Sequence, residues 1–259
     1  MVRLFTSYYR DRHDGRQAEL LACLQRNLNL DSIDLVCVLL EGIESPFPDH
    51  PKLQTRQIPH RPKYNDFFEW ANELVQSNTD ISVVTNSDIY FDSSISALPP
   101  GLKPNQCAAL ARWDVQPDGS SRLFDRNDSQ DVWVFRGRIR PVTAGFCVGI
   151  PRCDNRILHE LRTAGYDVVN PAFSVGAFHL HAGSRAEYPA EIQGLHVEPP
   201  YAYLWPHNLC SLPATLWHRL RHPEAQLGWR IDWRKLQRTL PWRVWTRLSR
   251  QLSVVSRQQ

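Results

Sequence analysis

The chain has 259 residues, 42% hydrophobic and 22% charged, with a formal net charge of +3, enough for one well-cored domain plus an appendage but tight for two full domains. No stretch approaches the roughly 18 to 20 apolar residues that cross a bilayer, and the opening Met1-Val2-Arg3-Leu4-Phe5-Thr6 lacks the apolar segment of a secretory signal. The expected location is therefore cytoplasmic. Six cysteines show no CxxC spacing, and most sit within apolar patterns. Reduced thiols are expected rather than disulfides or structural zinc.

The charge is unevenly spread. Residues 211–259 hold ten Arg and Lys against Glu224 and Asp232, together with Trp217, Trp229, Trp233, Trp242 and Trp245, five of the nine tryptophans. Arginine interleaved with Trp and Leu at helical spacing suits an interfacial helix on anionic lipid or a patch for an acidic partner. It equally suits a helical pair packed on the main domain. A nucleic-acid partner is not expected. The domain boundary is accordingly drawn at 1–210 and 211–259, the second part a basic, Trp-rich helical appendage.

Residues 2–8 alternate as a short strand, and residues 15–28 carry Leu20, Leu21, Leu24 and Leu28 at helical spacing. A buried strand over 33–40 ends at Glu41-Gly42, and a Pro-rich loop spans 45–51. Residues 53–58 form a further strand. Pro59-His60-Arg61-Pro62 breaks the chain before an amphipathic helix over 65–76, and a strand follows over 81–85. This alternation predicts a parallel sheet covered on both faces.

That last strand is the most informative segment. Ile81-Ser82-Val83-Val84-Thr85 is apolar and β-branched, then stops at Asn86-Ser87-Asp88, with Asp92 soon after. Ligands of open α/β sheets bind outside the carboxyl ends of the strands, so Asn86 and Asp88 are expected to face one. Hard cations take oxygen ligands and bridge to substrate phosphates through one or two carboxylates. Asp88 and Asp92 can also serve as turn formers and caps. Arg61, beside its Pro turn, is placed to reach a phosphate.

Further strands are expected over 107–111, 132–135 and 144–149, with a polar, mobile loop over 116–127. Asp154 or Asn155 is expected to cap a helix over 156–164, which Gly165 stops. A strand over 167–171 follows, and then a stretch over 174–181 that ends in His179-Leu180-His181.

The order of these parts resembles glycosyltransferases of the GT-A fold, the nucleotide-diphospho-sugar transferase type, family-2-like enzymes in particular, over roughly residues 3–185. The motifs carrying the resemblance are Thr6-Ser7-Tyr8-Tyr9-Arg10 after the first strand, Glu41 at the end of the second, and Asn86-Ser87-Asp88 in place of DxD. The small-residue segment Gly145-Phe146-Cys147-Val148-Gly149, then Cys153-Asp154-Asn155, Gly165-Tyr166, and His179 or His181 complete the set. The sequence departs from the pattern at Asn86, where the first Asp of DxD stands, and at Cys153.

The resemblance implies a Rossmann-like, mostly parallel sheet flanked by helices, and transfer of a sugar from a nucleotide-diphosphate sugar to a glycan or lipid-linked acceptor, as in polysaccharide biosynthesis. Thr6, Tyr8, Arg10, Glu41, Arg61, Asn86 and Asp88 are then expected at the donor. Asp88 and Asp92, with His179 or His181, are expected to hold Mn2+ or Mg2+. Asp154 is the expected general base of an inverting reaction, kept charged by its helix N-terminus. Asp131 is the rival base and, with Trp133 as a stacking platform, the expected acceptor site. The alternative is a non-catalytic carbohydrate or anionic-surface binding protein that uses the Trp- and Arg-rich tail. Peripheral contact with the inner face of a membrane through 211–259 fits either reading.

Overall fold

The computed structural model describes residues 1–180, 194–206 and Leu220. The chain divides into two compact units, Met1–Gln226 and Leu227–Gln259, and every described residue belongs to the first. The expected boundary after residue 210 and the expected helical appendage lie outside the described residues.

In chain order the strands and helices are β1 (Val2–Tyr8), α1 (Asp14–Leu28), β2 (Leu35–Glu41), β3 (Leu53–Ile58), α2 (Tyr64–Leu74), β4 (Ile81–Thr85) and β5 (Ile89–Phe91). There follow a 3-10 turn (Ser93–Ala97), α3 (Leu98–Gly101), β6 (Gln106–Leu110), β7 (Trp113–Val115), β8 (Ser121–Leu123), β9 (Val132–Arg136), α4 (Cys153–Thr163), β10 (Asp167–Val169) and β11 (Ala177–His179).

Seven strands form the main sheet in the order β10-β6-β9-β4-β1-β2-β3. The β1–β2, β1–β4, β2–β3 and β6–β10 pairs are parallel, and β9 runs antiparallel to both β4 and β6. The architecture is a Rossmann-like mixed α/β sheet flanked by helices. Its central strands read as continuous apolar runs because both faces are covered. On one face Leu4, Val36, Val38 and Val83 pack with Leu20 and Leu24 of α1. On the other, Phe5, Cys37, Val84 and Phe135 pack with Phe67, Phe68 and Trp70 of α2 and with Ile157, Leu158 and Leu161 of α4.

From β1 the chain moves outward through β2 and β3, then returns to β4 on the opposite side of β1. Such a reversal opens a crevice at the carboxyl ends of the two diverging strands. Because β9 is antiparallel, its beginning rather than its end lies on that same edge. A second sheet, β5-β11-β7-β8, extends beyond it.

Two expected features differ. Residues 144–149 form no strand, because their backbone groups are used by α2: Tyr64 N–H donates to Phe146 O (3.3 Å) and Asn65 N–H to Ala144 O (3.1 Å), while Val148 N–H donates to Pro62 O (2.9 Å). The loop therefore satisfies donors that a helix N-terminus leaves open. Residues 116–127 are not a free loop either, since β7 and β8 pair as a hairpin turning at Gly119, whose φ of 83° suits glycine. The five described cysteines, Cys23, Cys37, Cys107, Cys147 and Cys153, are free thiols. Among the described residues, no helix is long and apolar enough to cross a membrane.

Candidate active site

Cross-strand register assembles the site. In the second sheet His179 of β11 stands opposite Ile89 of β5 on one side and Asp114 of β7 on the other. Leu180 N–H donates to the carbonyl of Asp88 (3.1 Å), fixing the loop between β4 and β5 against β11. The imidazole of His179 is thereby suspended between two carboxylates, Nε2 at 3.1 Å from Asp88 Oδ2 and Nδ1 at 2.9 Å from Asp114 Oδ1. Arg16, in the first turn of α1, reaches the same Asp88 Oδ2 at 2.5 Å and also donates to Glu19 (3.0 Å).

The network continues along the sheet edge through Arg112, which follows β6. Its Nε donates to Asp114 Oδ1 (2.8 Å), and its Nη1 reaches Asp131 Oδ2 (3.1 Å) and Oδ1 (3.3 Å). Asn86 Nδ2 donates to Asp131 Oδ1 (2.9 Å). The backbone carbonyl of Asp131 accepts from Asn86 N–H (3.2 Å) and from the Thr85 hydroxyl (3.3 Å). Asp154, the second residue of α4, accepts from the Cys153 thiol (3.2 Å), and the charge of Asp131 bears on it.

Burial and charge set the protonation states. Burial alone would raise Asp88, but the hydrogen bond and charge of His179 and the charge of Arg16 outweigh it, holding its carboxyl well below the usual range. For His179, burial lowers basicity, while hydrogen bonds to Asp114 and Asp88 lift it to about 9, so it is a cation at neutral pH. Asp154 goes the other way. Burial, reinforced by the charge of Asp131, pushes it up to about 8. The expectation that the helix dipole keeps Asp154 ionised is thus overturned. Dipole stabilisation amounts to about 0.3–1 kcal/mol and cannot offset a neighbouring carboxylate in a shielded setting. Nor is Asp154 or Asn155 the cap: α4 is preceded by Arg152 in the left-handed region, φ 71°, and Asn155 is buried with its amide on Ala202 O (3.2 Å).

The other expected site residues fall into groups. Arg10 is exposed just past β1, and Glu41 closes β2 half-buried on the same edge. Arg61 is half-buried, its Nε on Val148 O (2.9 Å), and its guanidinium lies against Gly149, where an added Cβ would come within 2.8 Å of Nη2. Thr6 and Tyr8 are buried, Tyr8 with its ring edge-on to Phe47 and its hydroxyl bonded to Gln17, so neither side chain opens toward a donor.

Three further expectations need correction. Asp92 does not join Asp88: it stands at the opposite end of β5, where it caps the 3-10 turn by accepting from Ser94 N–H (3.0 Å). The three residues of β5 lie between the two acids, four residue rises or about 13 Å apart along an extended chain. Trp133 is fully buried, edge-on to Tyr64 with 4.9 Å between ring centroids, and presents no face to a sugar. Asp131 is not on an open acceptor loop but is buried, with both carboxylate oxygens engaged. His181 lies outside the described residues. Arg16, Arg112 and Asp114 were not singled out from the sequence. Arg112-Trp113-Asp114 carries the same signal as Asn86-Ser87-Asp88, a polar triplet directly after an apolar strand.

Among the described residues, no group of three or more His, Cys, Asp or Glu side chains gathers into a metal centre. Asp88 nevertheless offers one seat, since its Oδ1 is buried and has no hydrogen-bond partner among the described residues. One such oxygen fits a cation held mainly by substrate phosphates and water. It does not fit a closed protein cage.

No family model and no curated protein matches the chain. Among solved structures, the chain is similar to the mannosyltransferase PcManGT from Pyrobaculum calidifontis in complex with GDP-Man and Mn2+, at 13% identity and a TM-score of 0.46, over 72% of this chain and 58% of that one. It is also similar to HddC from Yersinia pseudotuberculosis, at 9% identity and a TM-score of 0.32, over 52% of this chain and 77% of that one. The chain thus spans less than two thirds of the length of the mannosyltransferase.

Proposed function

We propose that this chain is a glycosyltransferase that moves a sugar from a nucleoside diphosphate sugar to a hydroxyl of a glycan or lipid-linked acceptor. The observation that carries the reading is Asp88 at the crevice between β1 and β4, with one unpartnered oxygen and with Arg16 and His179 on the other. The ordered motifs of the sequence support it.

Sugar transfer requires charge stabilisation on the departing diphosphate, and Arg16 and protonated His179 place two fixed cations there. Arg61 and Arg10 extend the positive rim, and Glu41 stands at the end of β2, where a base or ribose would be recognised. Asp88 would hold Mn2+ or Mg2+ through Oδ1, the bound cation supplying Lewis-acid neutralisation of the phosphate oxygens. Such a cation competes with Arg16 and His179 for the same carboxylate, which implies weak affinity.

Asp154 takes the proton of the acceptor hydroxyl. A base works best with a pKa near the operating pH, and a carboxyl raised to about 8 meets that condition once ionised. With one carboxylate on the acceptor side, the reaction is a single displacement that inverts the anomeric centre. Residues 211–259 would hold the protein against an anionic membrane face, where a lipid-linked acceptor resides.

The reading is tested by incubating the full chain with UDP, GDP and CDP sugars and candidate acceptors, and reading the new linkage by proton NMR. An inverted linkage, lost in Asp154→Asn, supports it. A retained anomer removes Asp154 as base, and binding of saccharide without turnover identifies a binding protein instead.

A further inference from the structure

A short chain of hydrogen bonds ends on the carboxyl of Asp154. The Cys153 thiol donates to Asp154 Oδ1 (3.2 Å) and itself accepts from the hydroxyl of Tyr64 (3.6 Å). Both supporting groups are fixed by packing. Tyr64 opens α2 fully buried, edge-on to Trp133 and Phe146 with ring centroids 4.9 and 5.4 Å away. Cys153 opens α4, buried, with its N–H on Ile150 O (3.0 Å). Burial pushes its thiol well above the ordinary range, so it stays protonated and meets an ionised carboxylate as a donor.

We propose that Cys153 is a positioning residue for Asp154: its thiol, anchored by the Tyr64 hydroxyl, pins Oδ1 and favours the ionised carboxyl that takes the acceptor proton. The catalytic meaning of this inference rests on the glycosyl-transfer reading above, but the contact itself does not. A base must meet its proton within hydrogen-bond reach, and a pinned carboxylate is held from turning away. A hydrogen bond donated to the charged form lowers the pKa of an acid, and a thiol, being a weak donor, does so modestly. The other groups acting on Asp154 are Asp131, just before β9, and Arg112, after β6, whose charges work in opposite senses, together with the backbone of Gln130, which favours the ionised form. Tyr64 of α2 reaches it through the thiol. A substitution at residue 153 leaves all of these charges in place.

The experiment follows the Asp154 carboxyl by carbon-13 NMR titration of the full chain, without substrate, in the parent, Cys153→Val and Cys153→Ser, with Asp154→Asn identifying the signal. Val fills the place of the thiol and offers no donor, whereas Ser keeps one. The expected result is a midpoint about half a pH unit higher in Cys153→Val, with Cys153→Ser at or below the parent. Should Cys153→Val not fold, Cys153→Ala/Tyr64→Phe is compared with Tyr64→Phe, a pair in which no tyrosine hydroxyl can replace the thiol, and the same rise is expected. An unmoved or lowered midpoint in the comparison that folds overturns the proposal, whatever the protein transfers, and so does an equal rise in Cys153→Ser. Where transfer is measurable, Cys153→Val should lower kcat about threefold at pH 7 and displace its rise with pH upward, with Cys153→Ser restoring both. A lower melting temperature with an unchanged pH profile would show a merely structural role and overturn the proposal. Absence of transfer in the parent chain would strike the functional reading and leave the titration result standing.

Discussion

Replacing Asp154 with Asn should make the protein more stable at alkaline pH, by an amount that vanishes in acid. Asn keeps the acceptor oxygen for the Cys153 thiol but cannot acquire charge. In the parent, the folded carboxyl is raised from the ordinary 3.8 to about 8. Stability is therefore full below pH 3.8, falls as the pH climbs through the interval, and levels off above about 8. At about 1.4 kcal/mol per pH unit the shift sets a ceiling of roughly 6 kcal/mol. Relaxation around the charge and partial contact with solvent reduce the expected effect to roughly 2–3 kcal/mol. His179, raised to about 9, also loses its stabilising contribution as pH rises from 6.5 through 9, but it does so in both proteins and cancels in the difference. Urea unfolding at pH 4, 6, 7.5 and 9 supplies the measurement. A difference between variant and parent that stays constant across that range would refute the raised carboxyl of Asp154.

Other outcomes follow from the same geometry. Asp88→Asn should abolish transfer and also cost roughly 2–3 kcal/mol of stability, because Arg16 and His179 lose their shared counter-ion in a partly shielded setting; a thermal melt unchanged from the parent would contradict the ion triad. Trp133→Phe should lower stability modestly and leave the acceptor KM unchanged, whereas Trp133→Ala should cost about 3–5 kcal/mol; a selective rise in KM would restore Trp133 to the acceptor site. Transfer by the parent should increase with pH through about 8, a rise absent from Asp154→Asn, as pH–rate profiles of kcat/KM would show. Removing divalent cations with EDTA should stop turnover, and Mn2+ should restore it at least as well as Mg2+; full activity in EDTA would dismiss the seat at Asp88.

Much of the fold was legible because its signals are local. The apolar runs at 33–40 and 81–85 form buried strands, and the spacing of Leu20 and Leu24, or of Ile157, Leu158 and Leu161, marks helices that pack on the sheet. What failed was settled by distant partners. Residues 144–149 read as a strand until their backbone groups are needed at the start of α2. Asp92 and Asp88 are close in sequence, yet β5 runs between them and carries them apart. Trp133 reads as an exposed platform beside an acid, but β9 is covered on both faces, so Trp133 packs in the core, while Asp131 stands just before the strand at the sheet edge. In the site, Asp88, Asp154 and His179 were accessible as polar residues at element ends. Arg112 and Asp114 carry the same signal after β6 and Arg16 carries none, but nothing in the local sequence of the three reveals which carboxylates or imidazole they meet. The ionisation of Asp154 was misread for the same reason: a helix start is visible in sequence, and the burial of the carboxyl, with the charge of Asp131 added to it, is not.

The central claim is tested most directly by measuring nucleoside diphosphate release from a panel of UDP, GDP and CDP sugars with the full chain, in parallel with Asp154→Asn. The account predicts acceptor-dependent release from at least one donor, reduced about 10²- to 10⁴-fold by the substitution while donor binding persists. Release that is equal in the two proteins, or a folded parent that neither binds nor turns over any donor, would contradict it.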